Sequence, residues 1–336
     1  MAASPVEATT AGGPLPPQPG AARWRGGVGS FVLQRLLQAV LVIFGVACVT
    51  FFVLRLVPGD PARLMLPPGT GEDVVAGLRE QLGTDEPLPV QFLRFLGGLL
   101  HGDLGTSFRQ GRPVLPLVVD AFPATLGLAA TTMLLATVVA IPLGILAAAC
   151  SGRLPDRLIL GVSLVGQSLP SFWIGVMLVL LFSIQRQWFP AIGNTGPASY
   201  VLPTVTLAAV LVAQLVRTVR QGMLEVLQED YIRTARAKGV PARKVLLVYA
   251  FKNAAIPLVT VLGLQVGFVL GGAFVVELIF NWPGVGLLAL EAIKTRDFPV
   301  VQGVVIVVAT VFVCVNLLVD VVYAFLNPRV RLGAEG

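Results

Sequence analysis

Residues 217–245 are R-T-V-R-Q-G-M-L-E-V-L-Q-E-D-Y-I-R-T-A-R-A-K-G-V-P-A-R-K-V, a polar and basic stretch between two apolar runs. Larger side chains recur in it at helical spacing, namely Leu224, Leu227, Tyr231 and Ile232. Gly239 can end a helix, and Pro241 prevents its straightforward continuation. The stretch predicts a short helix, a sharp turn and a second short helix, which together form a rigid protrusion suited to a groove on a partner. A basic loop needed only for membrane topology is the alternative, but charge asymmetry alone requires neither the periodicity nor the Gly-x-Pro turn.

The apolar sequence on both sides of this stretch predicts a membrane protein. Of the 336 residues, 55% are apolar and 12% are charged, and the mean hydropathy is +0.83, whereas soluble domains carry about 25% charged residues. A bilayer core about 30 Å thick needs about 20 apolar residues in a helix. The expected fold is therefore an all-α integral membrane protein with about six transmembrane helices, near 32–55, 122–150, 157–184, 199–222, 255–280 and 300–326.

The distribution of Lys and Arg predicts the orientation of these spans. With the amino terminus inside, most basic residues fall in cytoplasmic segments, and the short external loops hold Arg186, Lys294 and Arg296. This asymmetry follows the positive-inside rule, so both termini are expected in the cytoplasm, on a multi-pass chain of the plasma or inner membrane. The net charge of +6 is thus interpreted as topological, and no nucleic-acid partner is expected.

Four segments are predicted along the chain. The first is rich in Ala, Pro and Gly, which cannot build a packed element. A cleaved signal peptide is the alternative for this first segment. The apolar stretch that follows is, however, longer than the apolar core of a signal peptide, which spans about 7 to 15 residues. A solvated connector is the alternative for the external insert. The segments are a disordered cytoplasmic tail at 1–29, the first transmembrane helix with an extracytoplasmic insert at 30–118, a five-helix transmembrane core at 119–328 with its connecting loop at 223–253, and a cytoplasmic tail at 329–336.

Polar side chains inside the predicted spans are candidates for a water-filled pathway. Amides and hydroxyls exposed to lipid would leave donors unsatisfied, so these groups should face other helices or water. Hydrogen bonding between helices is the alternative explanation. Gly263, Gly267 and Gly271 recur on one face of the fifth span, which predicts close helix packing there. The pathway candidates are Gln167 and Ser168 in the third span, Gln214 in the fourth and Gln265 in the fifth.

The sequence contains no constellation that predicts chemistry. No G-x-x-x-x-G-K-[ST] phosphate loop is present, so any ATP must be handled by another chain. His101 is the only histidine, and the three cysteines are far apart with no C-x-x-C pair, so no catalytic residue, metal site or disulfide is expected. A secondary transporter working alone and a membrane-embedded enzyme are alternatives from other classes. The spans lack the paired carboxylates of the first and the nucleophile and base of the second.

The segment D-Y-I-R-T-A-R-A-K-G at 230–239 resembles the E-A-A loop of the integral membrane subunits of ABC importers. Arg233 and Thr234 stand where the general pattern has Glu and Ala, whereas Ala235 and Gly239 are retained. These departures match the DppB and OppB branch, which serves peptides, dipeptides and nickel. The segment is therefore identified with that branch.

Other segments are similar to the same branch, and their order along the chain makes the resemblance specific. They cover most of the chain. They are R-L-V-P-G-D-P at 55–61, H-G-D-L-G-T-S at 101–107, F-P-A-T-L at 122–126, S-L-P-S-F-W-I-G at 168–175, V-V-E-L-I-F-N-W-P-G-V-G at 275–286 and N-L-L-V-D-V-V-Y-A-F-L-N-P-R-V-R at 316–331.

The resemblance implies a type I ABC importer permease that binds no cofactor and leaves ATP and Mg²⁺ to partner subunits. The implied partners are a homologous second permease of the DppC or OppC kind, two ATPase subunits, an extracytoplasmic substrate-binding protein, a di- or oligopeptide and membrane lipid. Nickel, haem or another non-peptide substrate is the alternative. The candidates for an external gate or receptor contact lie at the outer end of the fifth span, namely Glu277, Phe280, Pro283 and Gly284, and the carboxyl of Glu277 is costly in lipid and therefore a candidate for function. Contacts with the ATPases are implied at Tyr231, Thr234, Ala235, Arg236, Ala237, Lys238, Gly239 and Pro241.

Overall fold

The computed structural model describes residues 28–56, 60–67 and 69–326, and its described part is helical with no β-strand. A π-helical turn, Val179–Gln185, continues α7, a second one, Val245–Ala250, precedes α11, and a 3₁₀ turn, Pro197–Tyr200, precedes α8. The predicted all-α architecture is confirmed. The helices are α1 (Val28–Leu56), α2 (Pro61–Met65), α3 (Glu72–Leu82), α4 (Leu88–Leu100), α5 (Val114–Ala149), α6 (Leu154–Ser168), α7 (Ser171–Leu178), α8 (Val201–Val226), α9 (Asp230–Ala237), α10 (Ala242–Lys244), α11 (Phe251–Ile279), α12 (Val285–Lys294) and α13 (Phe298–Leu326).

Within the described ranges, five helical segments are long and apolar enough to cross a membrane, and a bent pair supplies a sixth span. The five are α1, α5, α8, the stretch Ala242–Ile279 that contains α11, and α13; the bent pair is α6 with α7. The prediction of about six spans is therefore confirmed. Two boundaries differ, because α5 begins at Val114 instead of near 122 and the fifth span begins at Ala242 instead of near 255.

The third span differs from the single helix that was predicted over 157–184. α6 ends at Ser168, and the chain bends by 98° before α7 begins at Ser171. Pro170 has no N–H, and it disfavours helical backbone at Leu169, whose φ of −85° and ψ of 135° are extended. The span is thus two helices joined at a break. Non-helical backbone at membrane depth is tolerated where protein buries it or where it borders water.

α8 lies at the centre of the helix bundle and contacts α5, α6, α7 and α11. Over an apolar stretch of 18 residues in α8, 61% of the residues are buried, whereas the corresponding share in α1 is 17%. A glycine of α5 allows close approach: a Cβ on Gly144 would lie 2.6 Å from the Cβ of Val219 on α8. The apolar core formed by α5, α8 and α11 continues into α9 through Ile232 and Ala235. The loop that follows α8 therefore rests directly on the transmembrane core.

α1 lies at the edge of the bundle, where it packs along α13 and exposes most of its apolar side chains. α13 also packs on α11 through two glycines. A Cβ on Gly263 would overlap the side chain of Val319, and one on Gly267 would overlap Phe312. The predicted close packing is confirmed at these two positions. It is wrong at Gly271, whose Cβ position has no atom within 4 Å.

Residues 60–112 connect α1 to α5 and contain α2, α3 and α4. Asp60 accepts a hydrogen bond from Nε of Arg79 on α3 at 2.8 Å, and this guanidinium holds the pKa of Asp60 below its usual range. Phe51 of α1 packs against Phe92 and Phe95 of α4, with ring centroids 5.1 and 5.4 Å apart. The insert therefore has polar and apolar contacts of its own and is attached to α1.

The bundle has two ends, which are named here by what they carry. The loop end carries the start of α1, the turn between α5 and α6, and α9. The insert end carries residues 60–112 and α12. The predicted cytoplasmic tails at 1–29 and 329–336 lie outside the described residues, except that Val28 and Gly29 already belong to α1.

Candidate coupling loop and pathway

α9 follows α8 after a short turn and lies on the loop end of the core. Its two buried side chains, Ile232 and Ala235, are 0% and 7% exposed and belong to the same apolar cluster as Met223 and Leu215 of α8. Their spacing of three residues places both on one face of the helix. α9 is therefore fixed to the bundle along one face, and its other face is left for solvent or a partner.

Hydrogen bonds around Gly239 define the end of α9. The Gly239 N–H donates to the carbonyl of Arg236 at 2.9 Å, and the Val240 N–H donates to the carbonyl of Ala235 at 3.2 Å. This pair of bonds is a Schellman motif, which requires a residue with positive φ, and Gly239 has a φ of 77°. Val240 then packs against the apolar core. The predicted turn is present, and its geometry limits bending between α9 and α10.

Most residues predicted to contact ATPases lie on the outward face of this loop. The carbonyl of Pro241 accepts N–H bonds from Lys244 and Val245 at 2.9 and 3.0 Å. The Tyr231 hydroxyl accepts a hydrogen bond from Nδ2 of Asn253 at 2.7 Å, which ties α9 to the start of α11. The loop thus presents a polar and basic surface on rigid support, and its contact with a partner stays a prediction. The exposed members are Tyr231, Thr234, Arg236, Ala237, Lys238, Gly239 and Pro241, whereas Ala235 is buried.

Gln167 and Ser168 lie at the break in the third span, and both are exposed. The Ser168 hydroxyl donates to the carbonyl of Leu164 at 2.8 Å. Gln167 Oε1 accepts a hydrogen bond from the guanidinium of Arg217 on α8. Hydrogen bonding between helices therefore explains part of the polarity of Gln167. The exposure of this pair also leaves it accessible to a pathway.

Gln214 and Gln265 lie on different helices of the core. Gln214 is half-buried on α8. Gln265 is 8% exposed on α11, and its carbonyl oxygen has no hydrogen-bond partner within the part of the chain that the structure describes. An unpaired buried acceptor costs about 1–3 kcal/mol. A water molecule or a polar group of a substrate would satisfy this oxygen. The pathway role of Gln265 stays a prediction, and the unpaired oxygen is the observation that supports it.

Glu277 is fully buried at the insert end of α11. Its carboxyl oxygens accept hydrogen bonds from Thr125 Oγ1 of α5 at 2.6 Å and from the N–H groups of Gly286 and Leu287 at 2.7 and 3.3 Å. Thr125 Oγ1 accepts the Val285 N–H at 2.9 Å. Since residues 285–287 begin α12, the carboxyl serves as the N-terminal cap of that helix. Glu277 thus joins α5, α11 and α12.

Phe280 and Pro283 follow Glu277 in the connection to α12. Phe280 is 1% exposed and packs in an apolar cluster with Trp282, whose indole Nε1–H donates to the carbonyl of Ala124 at 3.0 Å. Pro283 is exposed. The gate or receptor contact expected of Glu277, Phe280 and Pro283 stays a prediction. Pro283 is the member of this set with a free surface.

An ion pair at the loop end was missed from the sequence. Asp156, 3% exposed at the start of α6, accepts two hydrogen bonds from Arg220 of α8, Nε to Oδ1 at 2.7 Å and Nη2 to Oδ2 at 2.9 Å. It also accepts the Gly152 N–H at 2.8 Å. From the distribution of Lys and Arg, Arg220 is one of the basic residues of a predicted cytoplasmic segment, and that pattern indicates only a topological role for it. The pair joins residues 64 positions apart, so no local spacing indicates it.

A second contact missed from the sequence lies at the insert end. Asp297, 3% exposed between α12 and α13, accepts a hydrogen bond from Ser107 Oγ at 2.5 Å and one from the Phe108 N–H at 3.0 Å. These bonds attach the H-G-D-L-G-T-S segment to the α12–α13 turn. The resemblance had drawn attention to that segment, but no signal in the sequence indicated Asp297.

Two known protein families match most of the sequence of this chain. Residues 140–332 match the family described as binding-protein-dependent transport system inner membrane component, and residues 28–129 match the N-terminal family of the same membrane components. The chain belongs to this family. The permease is accordingly a transport component and not an enzyme.

Relatives are similar to this permease over nearly its whole length. The glutathione transport system permease protein GsiC of Salmonella paratyphi A is 43% identical over 302 residues, which cover 90% of this chain and 99% of the relative. GsiC of Escherichia coli strain K12 is 41% identical over 302 residues, with the same coverage. The permease is thus an inner-membrane, multi-pass subunit of the DppB and OppB type in an ABC importer. This family implies a partner permease, ATPases and a binding protein.

A solved structure supports the fold of the permease. A chain of the MetNI methionine ABC transporter in an inward-facing conformation matches with a TM-score of 0.52 and 15% identity, over 63% of this chain and 96% of that chain. At this identity the likeness concerns the fold alone. It agrees with the predicted type I importer permease fold.

Proposed function

We propose that this permease forms, with a homologous second permease of the DppC or OppC kind, a pathway that imports di- or oligopeptides. The observation that carries the proposal is the 43% identity to GsiC across 99% of that relative, because glutathione, the cargo in its name, is a tripeptide. An extracytoplasmic binding protein delivers the peptide. ATP and Mg²⁺ are bound by the ATPase subunits and not by this chain.

α9 is the contact through which the ATPases act on the spans. Two observations support this role: Ile232 and Ala235 fix α9 to the core, and its outward face carries the cations Arg236 and Lys238. When ATP draws the ATPases together, α9 moves with α8 and α11. The population of transporter complexes then shifts from the inward-facing to the outward-facing conformation. The loop end and both termini lie in the cytoplasm, which the distribution of Lys and Arg supports.

The test reconstitutes the permease with its second permease, ATPases and binding protein in liposomes. Dialanine, trialanine and glutathione are the candidate cargoes, and ATP is supplied on one side of the membrane at a time. Peptide-stimulated ATP hydrolysis and peptide uptake are both measured. Arg236→Glu is the coupling variant, because Arg236 is exposed on α9 and contributes nothing to the apolar core. Arg153→Glu, at an exposed arginine before α6, is the matched control.

We expect Arg236→Glu to lower peptide-stimulated ATP hydrolysis about tenfold, since reversing one charge at an interface costs about 1–2 kcal/mol. Arg153→Glu should stay near the unmodified rate. Gly239→Pro should abolish the stimulation in a complex that still assembles, because proline cannot adopt a φ of 77° or donate to Arg236. Full stimulation in both loop variants would contradict the role of α9. Peptide uptake by this chain without ATPases would show a secondary transporter instead.

A further inference from the structure

We propose that Arg217 and Gln167 form a subsite of the pathway that binds a carboxylate group of the cargo. This inference rests on the proposed import of peptides and names the chemical group that the pathway recognises. Both side chains are exposed, and the guanidinium of Arg217 on α8 donates a hydrogen bond to the amide oxygen of Gln167 on α6. The pair lies at the break between α6 and α7.

The direction in which Arg217 extends argues against contact with lipid. α6 and α8 run antiparallel, and a Cβ on Gly166 would lie 3.5 Å from the carbonyl oxygen of Ala209, so Gln167 lies near the level of Ala209. Arg217 is about 12 Å further along α8 toward the loop end, at 1.5 Å per residue. Its side chain reaches back toward the middle of the span. A lipid-facing arginine extends the other way, toward the nearer interface.

The position of Arg217 on α8 also argues against contact with lipid. α8 has the largest buried share of the five continuous spans that the structure describes. The face that it leaves open at the loop end carries Gln214, Arg217 and Gln221, which are three and four residues apart and therefore adjacent on the helix. The lipid-facing helix α1 instead exposes large apolar residues such as Leu41. A polar stripe on the central helix fits water and substrate.

The charge of Arg217 is uncompensated within the described part of the chain. Its hydrogen-bond partner is a neutral amide, and no carboxylate there forms a salt bridge with it. A guanidinium has five N–H donors, of which Gln167 uses one, so a second acceptor can bind in the two-point geometry that arginine offers to carboxylates. Every peptide with a free C-terminus carries such a group.

The break in the third span supplies a second reason for a polar cargo there. Leu169 and Pro170 are extended, and non-helical backbone at membrane depth requires protein or water around it. α7 begins at Ser171, so the positive end of its dipole lies at the same break as Gln167. In the exposed setting of this site, water screens the attraction to a carboxylate. Such a site binds weakly enough to release its cargo.

The experiment uses the complete reconstituted complex and compares a peptide with its C-terminal amide. The probe is whichever of dialanine, trialanine and glutathione the unmodified complex imports. Glutathione carries two carboxylates, so it is compared with its diamide. Because one binding protein serves every variant, its own preference cancels when the acid-to-amide uptake ratio of a variant is divided by that of the unmodified complex. Arg217→Gln removes the cation and Arg217→Lys retains it. Arg153→Gln removes an exposed cation before α6 and is the matched control.

We expect Arg217→Gln to lower the acid-to-amide ratio about tenfold, the loss of one charge-assisted hydrogen bond, with amide uptake unchanged. Arg217→Lys should retain part of the preference, and Arg153→Gln all of it. Gln167→Glu is a second variant, since its carboxylate would pair with Arg217 and occupy the subsite; it should lower the ratio without removing the contact between α6 and α8.

Two results would overturn the subsite. An equal loss of acid and amide uptake in Arg217→Gln and Gln167→Glu would mean that the pair only holds helices or a partner permease in place. An unchanged ratio in both variants would mean that the cargo does not contact Arg217. If the unmodified complex imports none of the three peptides, the proposed function fails first, and the subsite fails with it.

Discussion

Two buried carboxyl groups, Asp156 at the loop end and Glu277 at the insert end, hold the two ends of the bundle by different means. The carboxyl of Asp156 lies at the N-terminal turn of α6, and the carboxyl of Glu277 lies at the N-terminal turn of α12. Each joins helices that are distant in sequence. Asp156 is neutralised by Arg220, whose side chain is 23% exposed. Glu277 accepts hydrogen bonds from Thr125 and from backbone N–H groups, and no salt bridge to it occurs among the described residues. Charge holds one end, whereas hydrogen bonds and close packing hold the other.

The largest effect is expected where charge holds the bundle. Arg220→Met keeps an unbranched apolar stem but leaves the buried carboxylate of Asp156 without a cation. Removal of one partner from a buried ion pair costs about 3 kcal/mol of unfolding free energy. Thermal unfolding of the purified permease in detergent measures the loss. Arg233→Met is the control, because the pair of Arg233 with Asp230 is exposed and should contribute under about 1 kcal/mol. Equal losses would mean that Asp156 is not held by charge.

Close packing at the insert end should show the next largest effect. A Cβ on Gly284 would overlap the carboxyl of Glu277, so Gly284→Ala must displace this group from Thr125 and α12. We expect a loss of about 2 kcal/mol, in the range for overpacked sites. Gly271→Ala is the matched control on α11, where the Cβ position is empty, and its unfolding temperature should not fall. Similar melting of both variants would show that the insert end can relax.

The smallest effect is expected where hydrogen bonds alone are changed. Glu277→Gln keeps the shape of the side chain and one acceptor oxygen, and it places an NH₂ group against donors. We expect a loss of about 1 kcal/mol, close to that of one hydrogen bond. Glu225→Gln, at an exposed position on α8, is the control. A loss as large as that of Arg220→Met would remove the contrast between the two ends, because it would give Glu277 the energetic weight of an ion pair.

The sequence predicts those features that depend on neighbouring residues. About 20 apolar residues suffice to predict a span, so the number of spans was predictable. Gly239 and Pro241 indicate the end of α9 because a Schellman motif involves residues within one turn. A carboxyl group is energetically costly in lipid, so the sequence alone indicates that Glu277 requires compensating contacts where it is buried.

Contacts between distant residues could not be predicted in this way. Ser107 with Asp297 and Thr125 with Glu277 join positions 190 and 152 residues apart. Nothing in a local pattern selects such partners. Arg220 resembles a topological charge until the fold brings Asp156 beside it.

The break in the third span is an intermediate case. Pro170 is visible in the sequence, but Pro123 and Pro142 lie inside α5 and Pro257 lies inside α11 without ending those helices. A proline therefore permits a break without requiring one. What decides the outcome is whether the surroundings accept the extended backbone of Leu169, and that depends on packing across the bundle.

The packing of α1 along α13 sets an order for biosynthesis. Among the described helices α1 leaves the ribosome first and α13 last, so α1 remains in the bilayer without this neighbour while the other described helices are made. Its apolar surface suits this stay in the bilayer, because lipid solvates it as well as α13 does. In the meantime Phe51 can dock α4 of the insert. The first of the described helices therefore meets α13, the helix that it packs along, only after the rest of the described bundle has been made.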